Sequence, residues 1–210
     1  GIADEIIAAR RKEGPGRHDD LLEIMLASNL DAANIRYQLI NFLVAGHETV
    51  ASALTWALVL LGTHPDVADR VAQEADEVLG DAGTGGAASI DMGALARLRV
   101  ARAVVDEAMR LNPPAWLITR STTADMELGG CHVPAGSLLI LSPWIVHRHE
   151  SVWDAPQEFR PDRFLAEAGV PAPGVRTAYI PFGAGPRMCI GRDFAYAEAV
   201  LALAMICRAV

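Results

Sequence analysis

Apolar residues recur at helical spacing over residues 2–12 and again over 20–28, and the breaker Gly14-Pro15-Gly16 separates the two runs. Asp31 is placed to cap a long helix that runs to about Leu61. At about 1.5 Å per residue such a helix is roughly 45 Å long. From Leu39 to Leu61 nearly every face is apolar, the pattern of a helix that is fully buried or lies in a membrane. His47-Glu48 near the centre opposes the membrane, where a charge costs about 2.5–3.5 kcal/mol or more. A buried central helix, and no membrane segment, is therefore predicted. After His64-Pro65, one face carries Val67, Val71, Ala75 and Val78, predicting a helix to Leu79 with a stop at Gly80. Residues 80–88 are predicted as a loop, and a helix from about Leu98 to Leu111 ends before Asn112-Pro113-Pro114.

Strand signals follow at Trp116–Thr122, at Met126–Leu128 before a Gly129-Gly130 turn, and at Leu138–Leu141. Residues 143–181 are rich in proline and aromatics with little periodicity, and a last helix begins near Gly191. The pattern predicts a mainly α fold with a small β-sheet, no internal repeat and no domain boundary within it.

Composition narrows the function classes. The 210 residues are 51% hydrophobic, enough for a real core, and the net charge of −8 argues against a nucleic-acid partner. The three cysteines, Cys131, Cys189 and Cys207, show no C-x-x-C spacing, which suggests reduced thiols in a cytoplasmic compartment. The chain opens without Met and without a signal-peptide pattern, and both ends fall inside predicted helices, so both are expected to be internal to a longer protein.

The sharpest chemical signal is Phe182-Gly183-Ala184-Gly185-Pro186-Arg187-Met188-Cys189-Ile190-Gly191. Glycines and a proline hold an irregular loop, and the cysteine sits just ahead of an apolar helix whose unpaired N–H groups and positive dipole end favour a thiolate. Gly185 and Gly191 let backbone approach a flat ligand, and Arg187 is placed to reach an anionic group. A buried structural thiol is the bland alternative for a lone cysteine. Against it, the segment resembles the haem-binding signature of the cytochromes P-450, F-x-x-G-x-R-x-C-x-G, at every fixed position. The resemblance implies haem b as cofactor, with Cys189 as iron ligand and Arg187 on a propionate. It also implies that Phe182 shields the sulfur and that Gly183, Gly185 and Gly191 shape the loop.

Within the long helix, Ala45-Gly46-His47-Glu48-Thr49 places an acid and a hydroxyl in an apolar spine. By itself this fits a tolerated kink with Thr49 bonded back to its own helix. Beside the cysteine loop it resembles the family's oxygen-binding groove, [AG]-G-x-[DE]-T. That likeness implies that Ala45 and Gly46 leave room for oxygen, that Thr49 donates a hydrogen bond there, and that Glu48 relays protons. His47-Glu48 also opens the zinc-protease pattern H-E-x-x-H, but Ala51 stands at its fifth position.

Glu107 and Arg110 share a face of the 98–111 helix and suggest a partly buried pair. Downstream, Phe159-Arg160-Pro161-Asp162-Arg163-Phe164 is similar to the family's F-x-P-x-R-F, implying a structural Glu107-Arg110-Arg163 network. Arg120 is either an exposed strand charge or, by resemblance, a second propionate partner. His147-Arg148 and Trp153-x-x-Pro156 also fit the family, as packing residues.

The resemblance covers essentially the whole chain and identifies residues 1–210 as the C-terminal portion of a single haem-thiolate domain. It implies a monooxygenase that inserts one oxygen atom into an apolar small-molecule substrate, with electrons from a ferredoxin or flavoprotein. A basic patch for that partner at Arg97, Arg99 and Arg102 is weighed against an ordinary solvated helix start. A haem-thiolate peroxygenase or isomerase is the alternative, disfavoured by Glu48-Thr49, and an inactive fragment of such an enzyme is the reading from another class.

Overall fold

Carboxylates start the first helices after the opening one. The Asp20 side chain accepts the Glu23 N–H at 3.0 Å, and Asp31 accepts the Asn34 N–H at 2.8 Å, so each satisfies an amide that has no partner within its helix. In the computed structural model, which describes residues 1–80, 92–165 and 177–210, these caps precede α2 (Leu21–Ala27) and α3 (Ala32–Gly62). α1 spans Ile2–Glu13. The chain divides into two units, Gly1–Glu48 and Thr49–Val210, with α3 continuous in both.

In the first unit Ile7, Leu22, Met25 and Ile35 form a small core. Arg10 ties α1 to the α2 cap through a bidentate contact with Asp20 at 2.8 and 2.7 Å. Such fork geometry is the stronger form of ion pair, though its exposure limits the gain.

The second unit is built on apolar stripes at helical spacing. Val50, Ala53, Ala57 and Leu61 of α3 pack with Val67, Val71, Ala75 and Leu79 of α4 (Pro65–Leu79). Pro65 sits at the first helical position, where its missing N–H costs nothing, and Gly80 ends the helix at φ +54°, a left-handed value that suits glycine. α5 (Met92–Arg97) leads into α6 (Arg99–Leu111), whose first turn is capped from another helix. The Glu74 carboxylate of α4 accepts the Val100 and Ala101 N–H groups at 2.7 and 3.0 Å. The C-terminal helix, α8 (Arg192–Ala209), buries Tyr196, Ala199, Val200, Leu203 and Ala204 in the same core.

The small β-sheet expected from the sequence forms, among the described residues, as two antiparallel two-stranded ladders. β1 (Ile118–Ser121) pairs with β4 (Leu138–Leu141), and between them β2 (Met126–Leu128) pairs with β3 (Cys131–Val133) across the Gly129-Gly130 turn. α7 (Pro143–Val146) follows directly. The predicted loop at 80–88 lies, beyond Gly80, outside the described residues.

The long helix corrects another expectation. α3 forms with nearly the predicted bounds, and Gly46 does not interrupt it, but it is not buried all round. Only 17% of its most apolar window is buried, and Val44 is 63% exposed, Leu43 52% and Val59 53%. The physical reason is that α4, α6 and α8 pack against one stripe of the helix in the second unit, and α1 and α2 against Ile35, Leu39 and Phe42 in the first, while its remaining faces stay exposed. By length and composition α3 passes for a membrane-crossing helix, as the core helix of a larger protein also does.

α6 carries the second unit's main polar feature. Ala101 and every residue from Ala103 to Leu111 are buried, so its charged side chains must find partners inside. Arg110 uses all five of its N–H donors. Nε and Nη2 grip the Glu107 carboxylate at 2.7 and 2.9 Å, and the other donors reach the His147, Pro156 and Glu158 carbonyls at 2.9, 2.7 and 3.0 Å. Glu107 also accepts from Arg163 Nε at 3.0 Å and from the Arg160 N–H at 2.8 Å. The expected partly buried pair is thus a fully buried one, with both side chains at 0% exposure.

Two outcomes follow. Arg110→Met leaves the Glu107 charge buried and half-paired, and is expected to lower unfolding free energy in urea by about 3–5 kcal/mol. Arg70→Ala, which breaks an exposed bridge to Asp162, is expected to cost less than about 1 kcal/mol. Equal small losses would show that the buried network contributes nothing special. Separately, the 210-residue chain alone presents Leu43, Val44, Val59, Trp116, Ile140 and Ile145 to water. It is expected to run as a dimer or larger species in size-exclusion chromatography, and a monodisperse monomer would contradict that.

Candidate haem-thiolate site

The residues 180–191 close on themselves through backbone hydrogen bonds. The Gly183 N–H donates to the Ile180 carbonyl at 3.0 Å, the Met188 N–H to Gly185 at 3.0 Å, and the Cys189 N–H to Phe182 at 2.9 Å. Gly183 and Gly185 sit at φ +73° and +71°, where a side chain would be strained, so these turns need glycine. A one-turn 3-10 helix, Gly185–Arg187, lies between them and the cysteine. The Ala195 N–H then bonds to the Gly191 carbonyl at 2.8 Å and starts α8.

This closure gathers Phe182, Gly183, Gly185, Arg187, Cys189 and Gly191 on one loop, as the sequence predicted. The Cys189 thiol is exposed, and a Cβ added at Gly191 would lie 3.9 Å from its sulfur. Ile190 and Phe194, at 84% and 72% exposure, leave apolar surface on either side of Gly191. The Phe182 ring packs against Tyr196 at 5.0 Å, anchoring the loop entrance to α8.

β1 lies beside the loop, since a Cβ at Gly183 would meet Ile118 Cδ1 at 3.8 Å. Arg120 is two residues further along β1 and so falls on the same face of the strand as Ile118. Its guanidinium bonds only to the Thr119 carbonyl, at 2.8 Å, and Arg187 is exposed; neither pairs with a carboxylate among the described residues. A free thiol, two guanidiniums without a carboxylate partner among the described residues and adjoining apolar surface fit an apolar iron-holding disc with anionic arms.

Ala45, Gly46, His47 and Glu48 lie on the α3 segment of the first unit, with Thr49 opening the second. Gly46 has open space around it, with nothing within 4 Å of an added Cβ. Glu48 and Thr49 face solvent.

Sequence reasoning missed a second polar cluster on α6. Tyr179 and Tyr196 donate their hydroxyls to Asp106 Oδ1 at 2.9 and 2.6 Å, while Arg102 Nε reaches Oδ2 at 2.8 Å and its guanidinium stacks 3.3 Å from the Tyr196 ring centre. Burial first, and then the Asp106 charge, raises both phenols. Arg102, weighed as part of a surface patch, is therefore committed within the protein, and Arg97 Nη2 points to the Val78 carbonyl at 3.4 Å. The available signal was Asp106 itself, an acid on the apolar face of α6. His147, expected only to pack, proves wholly buried and doubly bonded: its carbonyl accepts from Arg110 and its ring Nε2 accepts the Ile180 N–H at 2.9 Å.

The family model for cytochrome P-450 matches residues 1–209. Cyclooctatin synthase of Streptomyces melanosporofaciens is 39% identical over 98% of this chain and 44% of its own length. Cyclooctat-9-en-7-ol 5-monooxygenase of the same organism is 38% identical over 98% of this chain and 44% of its own length. Pentalenene oxygenase of Streptomyces avermitilis is 38% identical over 95% and 44%. The chain thus spans less than half the length of these curated relatives, yet the match runs through the helices, the ion network and the cysteine loop alike. The chain belongs to the cytochrome P-450 family.

Proposed function

We propose that the whole protein to which this chain belongs is a cytoplasmic haem-thiolate monooxygenase acting on an apolar small molecule. In that reaction one oxygen atom of O₂ enters a C–H bond and the other leaves as water, with two electrons and two protons consumed. The electrons come from a ferredoxin or flavoprotein. The observation that carries the reading is the closed cysteine loop with its exposed thiol; Arg187 on that loop and Arg120 on the neighbouring strand pair with no carboxylate among the described residues. Two bacterial relatives, an oxygenase and a monooxygenase, support it.

Haem b, when bound, supplies oxygen activation at an iron whose thiolate ligand favours O–O cleavage. The chain's own residues do the rest. Cys189 gives the sulfur, and the 182–189 closure fixes where it stands. Arg187 and Arg120 hold the anionic arms as charge-assisted partners. With haem bound, Phe182 would shield the sulfur from water, while Gly183, Gly185 and Gly191 would let the backbone approach it closely. On α3, Ala45 and Gly46 would leave space for oxygen, the Thr49 hydroxyl would donate a hydrogen bond to it, and the Glu48 carboxylate would relay protons. Glu107, Arg110 and Arg163 act structurally, and residues 1–210 form the C-terminal portion of one haem-thiolate domain.

Cys189→Ser in the full-length protein is expected to abolish the red-shifted carbon monoxide band of the ferrous haem, together with oxygenase activity. A band that survived there and vanished in Cys131→Ser would name the wrong thiol. Cys207 is a poor rival because burial in α8 pushes its thiol up, away from thiolate. Thr49→Ala changes an exposed position and is expected to alter stability by less than about 0.5 kcal/mol. Reductant consumption should continue while oxygen is lost as peroxide or water. Tight coupling of electrons to product in that variant would remove Thr49 from the oxygen site.

A further inference from the structure

His147 takes no part in the chemistry above, yet it touches both the ion network and the entry to the cysteine loop. Its side chain is fully buried just after α7, with the ring 5.3 Å from Tyr179 and 6.4 Å from Trp153. Its carbonyl accepts from Arg110 Nη1 at 2.9 Å, and its ring Nε2 accepts the Ile180 N–H at 2.9 Å. A backbone amide can only donate, so Nε2 must carry the lone pair and the ring must be neutral with its proton on Nδ1. From Ile180 the connection continues by backbone alone: its carbonyl holds the Gly183 N–H, and the Phe182 carbonyl holds the Cys189 N–H.

We infer that neutral His147 is a positioning residue, a latch that fastens the cysteine loop to the Glu107-Arg110-Arg163 network and so fixes where the Cys189 sulfur stands. The inference rests on reading Cys189 as the iron ligand. A latch of this kind fails when its acceptor becomes a donor. The charged groups around the ring are Arg110 from α6 and Arg148 from the following residue, with the Tyr179 phenol facing it from the loop segment. On α6, Glu107 is already taken up by Arg110 and Arg163, and Asp106 by Arg102 and the Tyr179 and Tyr196 hydroxyls. The Met109 and Arg110 carbonyls lie beside the ring, though Nδ1 closes no hydrogen bond of normal geometry. Burial chiefly, and the two arginine charges next, lower the His147 pKa to about 4 against the carbonyls' opposing pull. The unfolded chain takes up this proton near pH 6.5 and the native chain only near 4, so native stability falls as pH drops between those values. Below that range Nε2 itself carries a proton against the Ile180 N–H, and the latch opens.

The test uses the full-length haem-loaded protein, the ferrous carbon monoxide spectrum and amide hydrogen exchange at Ile180. His147→Phe keeps an aromatic ring and removes the acceptor. Ile180 is expected to exchange about 10- to 100-fold faster, and part of the thiolate band to be lost at neutral pH. His147→Gln puts an amide oxygen near the place of Nε2. It is expected to restore both readouts and to hold the thiolate band to lower pH than the unmodified protein. Unchanged Ile180 protection and an unchanged band in His147→Phe would overturn the proposal. If His147→Phe does not fold, His147→Gln decides: retention of both signals supports the latch, and loss of both in a folded protein overturns it. Cys189→Ser separates the two readings, since it should remove the band and leave Ile180 protected. A band that survived Cys189→Ser would refute the ligand assignment alone, with Ile180 exchange still reporting on the latch.

Discussion

A guanidinium with no access to water is the constraint around which the second unit is arranged. Arg110 cannot shed its proton, so its burial demands an anion and enough carbonyls to use every N–H. Glu107, one helical turn away, provides the anion, but its own burial then requires further donors, which Arg163 and the Arg160 amide supply. The chain from His147 to Arg163 has few regular elements and little apolar periodicity of its own. What holds it is largely this set of carbonyls turned toward one cation. Ala155 sits at φ +43°, a left-handed value uncommon for alanine, in the turn whose carbonyls accept from Arg163. Local backbone cost is accepted there because the charge network over-determines the conformation.

α6 presents different chemistry on neighbouring faces, and both faces bear on the cysteine loop. Through Glu107 and Arg110 it holds the irregular segment and His147, which in turn holds Ile180. Through Asp106 it collects the hydroxyls of Tyr179, just ahead of the loop, and Tyr196, just after it. The loop is therefore pinned at its entrance and at its exit to a single buried helix. These supports fix the position of a glycine-rich loop that has little rigidity of its own.

Around that rigid centre the surface is unusually apolar. One side of α3, the β1–β4 ladder with α7, and the neighbours of Cys189 all expose large side chains. The ladder and α7 line an open apolar groove of about 750 Å³ between Trp116, Ile140, Trp144 and Ile145. These faces are chemically of a piece with a chain that spans less than half of its relatives' length.

The sequence by itself determined the elements whose cause is local. Periodic apolar positions with Asp31, Pro65 and Gly80 as boundaries placed α1 to α4, α6 and the start of α8 to within about two residues, the scale on which helix ends are defined at all, while the short α5 and α7 left no periodic signal. The cysteine loop was equally legible, since its glycines at positive φ and its thiol lie within ten consecutive residues. What only the tertiary structure decided depends on residues far apart in the chain. Pattern alone took α3 to be buried on all sides, but hydrophobicity states what a face prefers and not whether a neighbour is there to cover it. The two separate ladders, the trans-helical Glu74 cap, the Asp106 cluster and the bond from Ile180 to His147 are likewise invisible in composition or period. Each joins side chains 26 or more residues distant to amides or charges that lack a local partner, apart from the ladders, where strand pairing plays that part. Such partnerships form only when packing brings the groups together and burial makes leaving them unpaired too costly.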